Sequence, residues 1–296
     1  MTNSVKIYVL QLIVALALLE SCGEYILPSH TYTYTTRDEA SLEMDVFVGD
    51  SNQCANTSLD TLSVQKPAIL YFHGGSWISG TRDKIHQCYR EHVLRWLLDK
   101  GFAVFSVDYR LIGLGRGHLE SCVDDCRDAL SYVIDNADTL GVDTTRIGLW
   151  GSSAGAHLAM MTVFADSLTA RRVKFLVDDF GPVDIHNMFH VVPEWGRVLV
   201  ADMVFDNEEK SFEQYDSLTL AYSPISYDTN IPLLIFHGED DGVVDISQSR
   251  MLHQKFSSNS HFITFPENGH GLKNLDSLQL RTYVQNFENF VDSILW

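Results

Sequence analysis

Along most of the chain, short runs rich in β-branched and aromatic residues alternate with longer amphipathic stretches. Eight runs read as strands: Tyr32–Thr36, Leu42–Val48, Ala68–His73, Phe102–Asp108, Arg146–Gly151, Phe175–Phe180, Pro232–His237 and His261–Phe265. The first two alternate apolar and polar positions, as half-exposed antiparallel strands do. The later ones are continuously apolar, as strands covered on both faces are. Ile85–Lys100, Asp124–Leu140 and Ser277–Leu295 carry apolar residues at helical spacing. Gly101 and Gly141 stand as stops after the first two. Strands alternating with helices predict an α/β fold, with a mostly parallel eight-stranded sheet flanked by helices.

One segment breaks this rhythm. Pro182 to Ile231 separates two strands by about 50 residues, far more than the usual α/β connection. Its aromatic and apolar residues, among them Phe189, Trp195, Val198 and Phe205, predict a small helical cap over the ligand-binding edge of the sheet.

The N-terminus reads differently. Ile7–Leu19 is an uncharged apolar run behind Lys6, shorter than the roughly 20 residues that span a bilayer. It fits the apolar region of a secretory signal. The expected organisation is therefore a signal over residues 1–22 and one domain over 23–296. Leu19-Glu20-Ser21-Cys22 resembles a bacterial lipobox, with Cys22 as lipid anchor, and ordinary cleavage nearby is the alternative. Either way the protein is expected to be exported: secreted, periplasmic or lipid-anchored at the cell surface.

Export gives the cysteines meaning. Setting Cys22 aside leaves Cys54, Cys88, Cys122 and Cys126, an even four that permits two disulfides with three connectivities. No Cys-x-x-Cys pair and no Cys/His zinc spacing occurs, so no metal site is indicated and no cofactor is expected. Asn56-Thr57-Ser58 is a glycosylation sequon, meaningful in a eukaryotic source. The net charge is −18, from 39 acidic against 21 basic residues. A surface this acidic repels phosphate backbones, which argues against nucleic-acid partners.

Four segments carry chemistry. Gly151-Ser152-Ser153-Ala154-Gly155 is a G-x-S-x-G motif between an apolar strand and a helix-compatible run. That context fits a nucleophile held on a strained strand-to-helix turn. His73-Gly74-Gly75-Ser76-Trp77 follows a strand, and a glycine turn exposes backbone N–H groups that stabilise an oxyanion. The N–H of Ala154, next after the serine, adds another donor. His237-Gly238-Glu239-Asp240-Asp241 is a strand end with an acidic loop, where Asp241 suits the acid that orients an imidazole. Glu239 and Asp240 read as exposed neighbours. His270, between two glycines after the last strand, is the candidate base among 12 histidines. His73, His157 and His237 flank the motifs, where packing or hydrogen bonding explains them better than catalysis.

With these motifs in the order Ser…Asp…His, the sequence resembles the esterase/lipase group of α/β-hydrolases. It is most similar to the hormone-sensitive-lipase-like esterases and to the bifunctional feruloyl and acetylxylan esterases. The likeness covers roughly residues 65–290. Asp108-Tyr109-Arg110, Asp125-Cys126-Arg127 and Ser223-Pro224-Ile225 are further matches. The resemblance implies an α/β-hydrolase fold, a Ser153–His270–Asp241 triad, and an oxyanion hole at Gly75, Ser76 and Ala154. Ser76 replaces the last glycine of H-G-G-G, and Ala156 replaces a glycine often found after the serine motif. Neither change removes a backbone N–H. The expected activity is hydrolysis of short-acyl esters, with a small ester or an acylated glycan as substrate. An amidase such as an aryl formamidase shares this constellation. A catalytically silent binding protein is the rival of another class, and the three filled triad positions count against it.

Overall fold

The computed structural model describes residues 25–37, 40–49, 65–112, 117–191, 204 and 212–296. The apolar N-terminal run, Cys22, Cys54 and the Asn56 sequon lie outside the described residues. Among the described residues, no helix is long and apolar enough to cross a membrane.

All eight expected strands form, as β1 (His30–Arg37), β2 (Ala40–Val48), β3 (Lys66–Phe72), β4 (Ala103–Val107), β5 (Val142–Ser152), β6 (Val173–Asp179), β7 (Leu233–Gly238) and β8 (Ser260–Phe265). They make one sheet in the order β1-β2-β4-β3-β5-β6-β7-β8. β2 pairs antiparallel with β1 and β4, and every pairing from β4 to β8 is parallel. The chain reverses strand order around β3 and β5, so their C-terminal ends border the kind of crevice where open α/β sheets bind ligands.

The apolar runs divide between two buried layers. Leu70, Phe72, Phe105, Leu149 and Leu176 pack on one face, against α2 (Leu119–Asp135) and α3 (Ala154–Phe164). Ile69, Tyr71, Val104, Trp150, Phe175 and Phe236 pack on the other, against α1 (Tyr89–Asp99) and the C-terminal helix Ser277–Leu295. Alternate residues of one strand thus serve opposite cores, which explains why apolar residues dominate both faces of the central strands.

Helix boundaries depart from the periodicity in two places. The first helix begins at Tyr89 rather than Ile85, because Cys88 takes φ 55°, which a continuous helix excludes. Before it, Arg82–His86 forms a 3₁₀ turn. The second helix starts early, at Leu119, and breaks at Asn136, with a short turn Ala137–Leu140 beyond. A buried ion pair ties α2 to the end of β4. The Arg110 guanidinium and backbone N–H both donate to Asp125, which is fully buried.

Among the described residues, the two disulfides that the cysteine count permits do not form. Cys88, Cys122 and Cys126 are free thiols. Cys122 and Cys126 lie one turn apart on the buried face of α2, and the Cys122 thiol donates to the Arg110 carbonyl at 3.0 Å. Burial pushes both thiols up, so they behave as small apolar core residues. Cys88 is exposed at the start of α1.

Between β6 and β7, in the segment expected as a cap, the described residues form α4 (Ile185–Val191), α5 (Phe212–Ala221) and a 3₁₀ turn Pro224–Ser226. Residues 192–203 and 205–211 lie outside the described residues.

Candidate active site

Four loops converge at the C-terminal ends of β3, β5, β7 and β8. The sharpest turn joins β5 to α3. Ser153 sits on it at φ 55° and ψ −122°, a conformation that costs a non-glycine residue on the order of 1–3 kcal/mol. The glycines of G-x-S-x-G allow it. A Cβ on Gly155 would lie 2.0 Å from the Phe72 carbonyl oxygen, and one on Gly151 would lie 2.3 Å from that of Gly155. The helix start therefore rests directly on neighbouring strand backbone. The Ser153 N–H donates to the Asp179 carbonyl at 2.7 Å and fixes the turn from β6.

Beneath this turn lies a polar hub that sequence reasoning missed. The buried Asp179 carboxylate accepts from Tyr283 Oη at 2.7 Å, Trp150 Nε1 at 2.9 Å, Tyr89 Oη at 2.9 Å and Ser152 Oγ at 3.1 Å. Burial pushes its pKa up, and these donors work against that rise. The one signal in the sequence was Asp178-Asp179 closing an apolar strand, since buried acids are rare without partners.

The structure brings Ser153, His270 and Asp241 together. His270 Nδ1 lies 2.7 Å from Asp241 Oδ2, and His270 Nε2 lies 2.9 Å from Ser153 Oγ. A carboxylate only accepts, so Nδ1 carries the proton and Nε2 accepts from the serine hydroxyl. The Asp241 side chain is fully buried, and its Oδ1 accepts from the Val243 and Val244 N–H groups at 2.8 and 2.9 Å. Burial pushes the carboxyl up. Hydrogen bonds from His237, His270 and the two amides outweigh it and hold Asp241 well below the usual carboxylate range. Such a chain of serine, imidazole and carboxylate activates the hydroxyl for nucleophilic attack.

His237 is a positioning residue of this group. Its Nε2–H donates to the Val244 carbonyl at 2.8 Å and lies 3.3 Å from Asp241 Oδ2, while Nδ1 pairs with Ser249 Oγ at 2.7 Å. Glu239 and Asp240 are exposed, as expected of neighbours. Gly238 is required beneath the His270 loop, because a Cβ there would lie 2.2 Å from the Asn268 carbonyl oxygen.

The His73–Trp77 turn abuts the elbow. A Cβ on Gly74 would lie 3.2 Å from the Ser153 Cβ and 2.7 Å from the Ser152 carbonyl oxygen. Gly75, Ser76 and Trp77 follow with φ of 138°, 53° and 59°. Ala154 is the first residue of α3, so its N–H has no intrahelical partner. His73 is structural: burial lowers its pKa to about 3, and its ring stacks on Tyr109 at 4.3 Å. His157, also buried, has its pKa lowered to about 4, and its Nε2 bonds the Tyr222 carbonyl after α5 at 2.8 Å.

With this geometry in view, known proteins are informative. The family model described as BD-FAE matches residues 60–256. An AB hydrolase superfamily protein of Schizosaccharomyces pombe is 36% identical over 98 residues, 31% of this chain and 26% of that protein. The ethyl acetate hydrolase of Pseudomonas putida is 31% identical over 140 residues, 47% of this chain and 38% of that protein. The chain spans less than half the length of the first curated relatives it matches. Among solved structures, the apo form of Thermogutta terrifontis esterase 2 superposes with a TM-score of 0.72 at 22% identity, covering 94% of this chain and 98% of that one. That likeness speaks for the fold. The eight-stranded sheet and the family match across two thirds of the sequence lead to one conclusion: this chain is an α/β-hydrolase and belongs to the BD-FAE family.

Proposed function

We propose that the protein is a serine hydrolase of carboxylic esters, with Ser153, His270 and Asp241 as its catalytic residues. The observation that carries this reading is the His270 imidazole, bonded at once to Ser153 Oγ and to Asp241. Ser153 Oγ attacks the ester carbonyl carbon while His270 Nε2 takes its proton. The backbone N–H groups of Gly75, Ser76 and Ala154 receive the charge that develops on the carbonyl oxygen. The C–O bond to the alcohol breaks, and the alcohol leaves with the proton from His270. Water then gives a proton to the same imidazole and attacks the acyl-enzyme, releasing the acid and restoring Ser153. Asp241 holds the productive tautomer and stabilises the imidazolium.

The natural substrate in this reading of an exported enzyme is a short-acyl ester, an acetyl or feruloyl ester of a polysaccharide. Support comes from membership of the BD-FAE family and from relatives named ethyl acetate hydrolase and arylesterase. It also comes from the signal-like run Ile7–Leu19. A fluorophosphonate probe is expected to modify the folded protein on the peptide containing Ser153. A p-nitrophenyl ester series is expected to favour acetate over long chains, and acetylxylan to release acetate. A folded protein that neither takes the probe nor turns over any ester of the series overturns the assignment. Activity confined to long-chain esters overturns the substrate class alone. Export predicts that protein recovered from its host begins near residue 23, which intact mass measures. An intact Met1 start in the exported fraction speaks against cleavage.

A further inference from the structure

The candidate cap segment holds a group of side chains that ester hydrolysis does not use. His186 and His190 stand four residues apart on α4, and so share one face of that helix. Asp216 reaches them from α5. The three offer one ligand atom each, all within 4.8 Å of one another. The imidazole rings are 4.4 Å apart between centroids, and His190 Nε2 lies 2.9 Å from Asp216 Oδ1. Ligand atoms about 2.0–2.1 Å from a tetrahedral ion stand roughly 3.3 Å apart, so small ring rotations close this group on a cation.

A fourth residue prepares His186 for that role. The Thr219 hydroxyl donates to the Asp216 carbonyl at 2.9 Å, and so accepts from His186 Nδ1–H, also at 2.9 Å. This fixes the tautomer with the lone pair on Nε2. Imidazoles that bind metal are typically oriented in this way, by a hydrogen bond on the other ring nitrogen. The His190 and Asp216 side chains are 36% and 43% exposed, so an ion has a path in and water has room at the remaining position.

We infer that His186, His190 and Asp216 form a binding site for a divalent transition ion, best suited to Zn(II), which clasps α4 to α5. Two imidazoles and one carboxylate with an open position match the ligand preferences of that ion. No cysteine marks this site in the sequence, and its one local sign is the four-residue interval between His186 and His190. The clasp acts on the cap and not on the ester. α5 leads into Tyr222, whose carbonyl bonds His157 on α3, and into Ser223, whose hydroxyl accepts from the His186 N–H at 3.1 Å.

The test is calorimetric titration of the full-length, untagged chain, freed of metal by a chelator, with Zn(II). One equivalent is expected to bind and to raise Tm. His190→Ala and Asp216→Asn are each expected to abolish that binding, the second with little change in shape. Thr219→Val, which removes only the orienting hydroxyl, is expected to weaken it by about 10–100-fold. Near- and far-ultraviolet circular dichroism identifies any variant that fails to fold. Absence of saturable binding to the wild-type protein overturns the inference. So does binding that persists undiminished in folded Asp216→Asn.

Discussion

Ser153→Ala is expected to lower kcat for p-nitrophenyl acetate by about 10⁶-fold, and adding His270→Ala to it is expected to cost almost nothing more. The reason is in the geometry. His270 Nε2 has its catalytic partner in Ser153 Oγ, 2.9 Å away, and without that hydroxyl there is no proton for it to take. The two residues make one device, so losing either loses both. A residual acceleration of about 10³–10⁴ over water is expected to survive in both variants, since the backbone donors of the His73–Trp77 turn and Ala154 remain. Steady-state kinetics on the two single variants and the double variant measure this. Losses that multiply, with the double variant far below either single one, would show independent roles and contradict the triad.

How much of this was legible in the sequence depends on the range of the interactions. Each central strand is covered on both faces, so Ala68–Phe72 or Leu233–His237 announces itself as an unbroken apolar run. Ser153 was legible because a tight elbow demands small residues at fixed offsets, and Gly151 and Gly155 stand where a Cβ would meet backbone oxygen at 2.3 and 2.0 Å. Asp241 and His270 were legible from chain order and from their loops, although they lie 29 positions apart. The Asp179 hub was hidden because its partners come from three elements, with Tyr283 removed by 104 positions. No local pattern encodes such convergence. The disulfide expectation failed for a related reason: an even count of cysteines says nothing about where side chains point. Cys122 and Cys126 are spaced for one helix face, and that spacing serves the core. His186 and His190 carry the same four-residue signature, but their third partner lies on another helix.

Asp241→Asn is expected to lower kcat by about 10⁴-fold while changing KM little, because the side chain touches the imidazole and not the ester. The buried carboxylate accepts from two amides through Oδ1 and faces His270 Nδ1–H and His237 Nε2–H through Oδ2. All four are donors, and only an acceptor on both sides satisfies them. Asparagine has one acceptor. If its oxygen keeps the Val243 and Val244 amides, its NH₂ faces two N–H groups. His270 escapes that clash by moving its proton to Nε2, the atom that must accept from Ser153, and the nucleophile is left without a base. If the amide flips instead, His270 keeps its tautomer but the Val243 and Val244 N–H groups lose their acceptor. The Val244 N–H is buried, and leaving it without a partner costs about 1–3 kcal/mol in stability. Either way the imidazolium formed during attack has no anion beside it. The two outcomes separate by experiment: the first lowers kcat with Tm nearly kept, and the second lowers both. A variant within about tenfold of wild-type kcat would mean that Asp241 only shapes its loop, with some other group orienting His270.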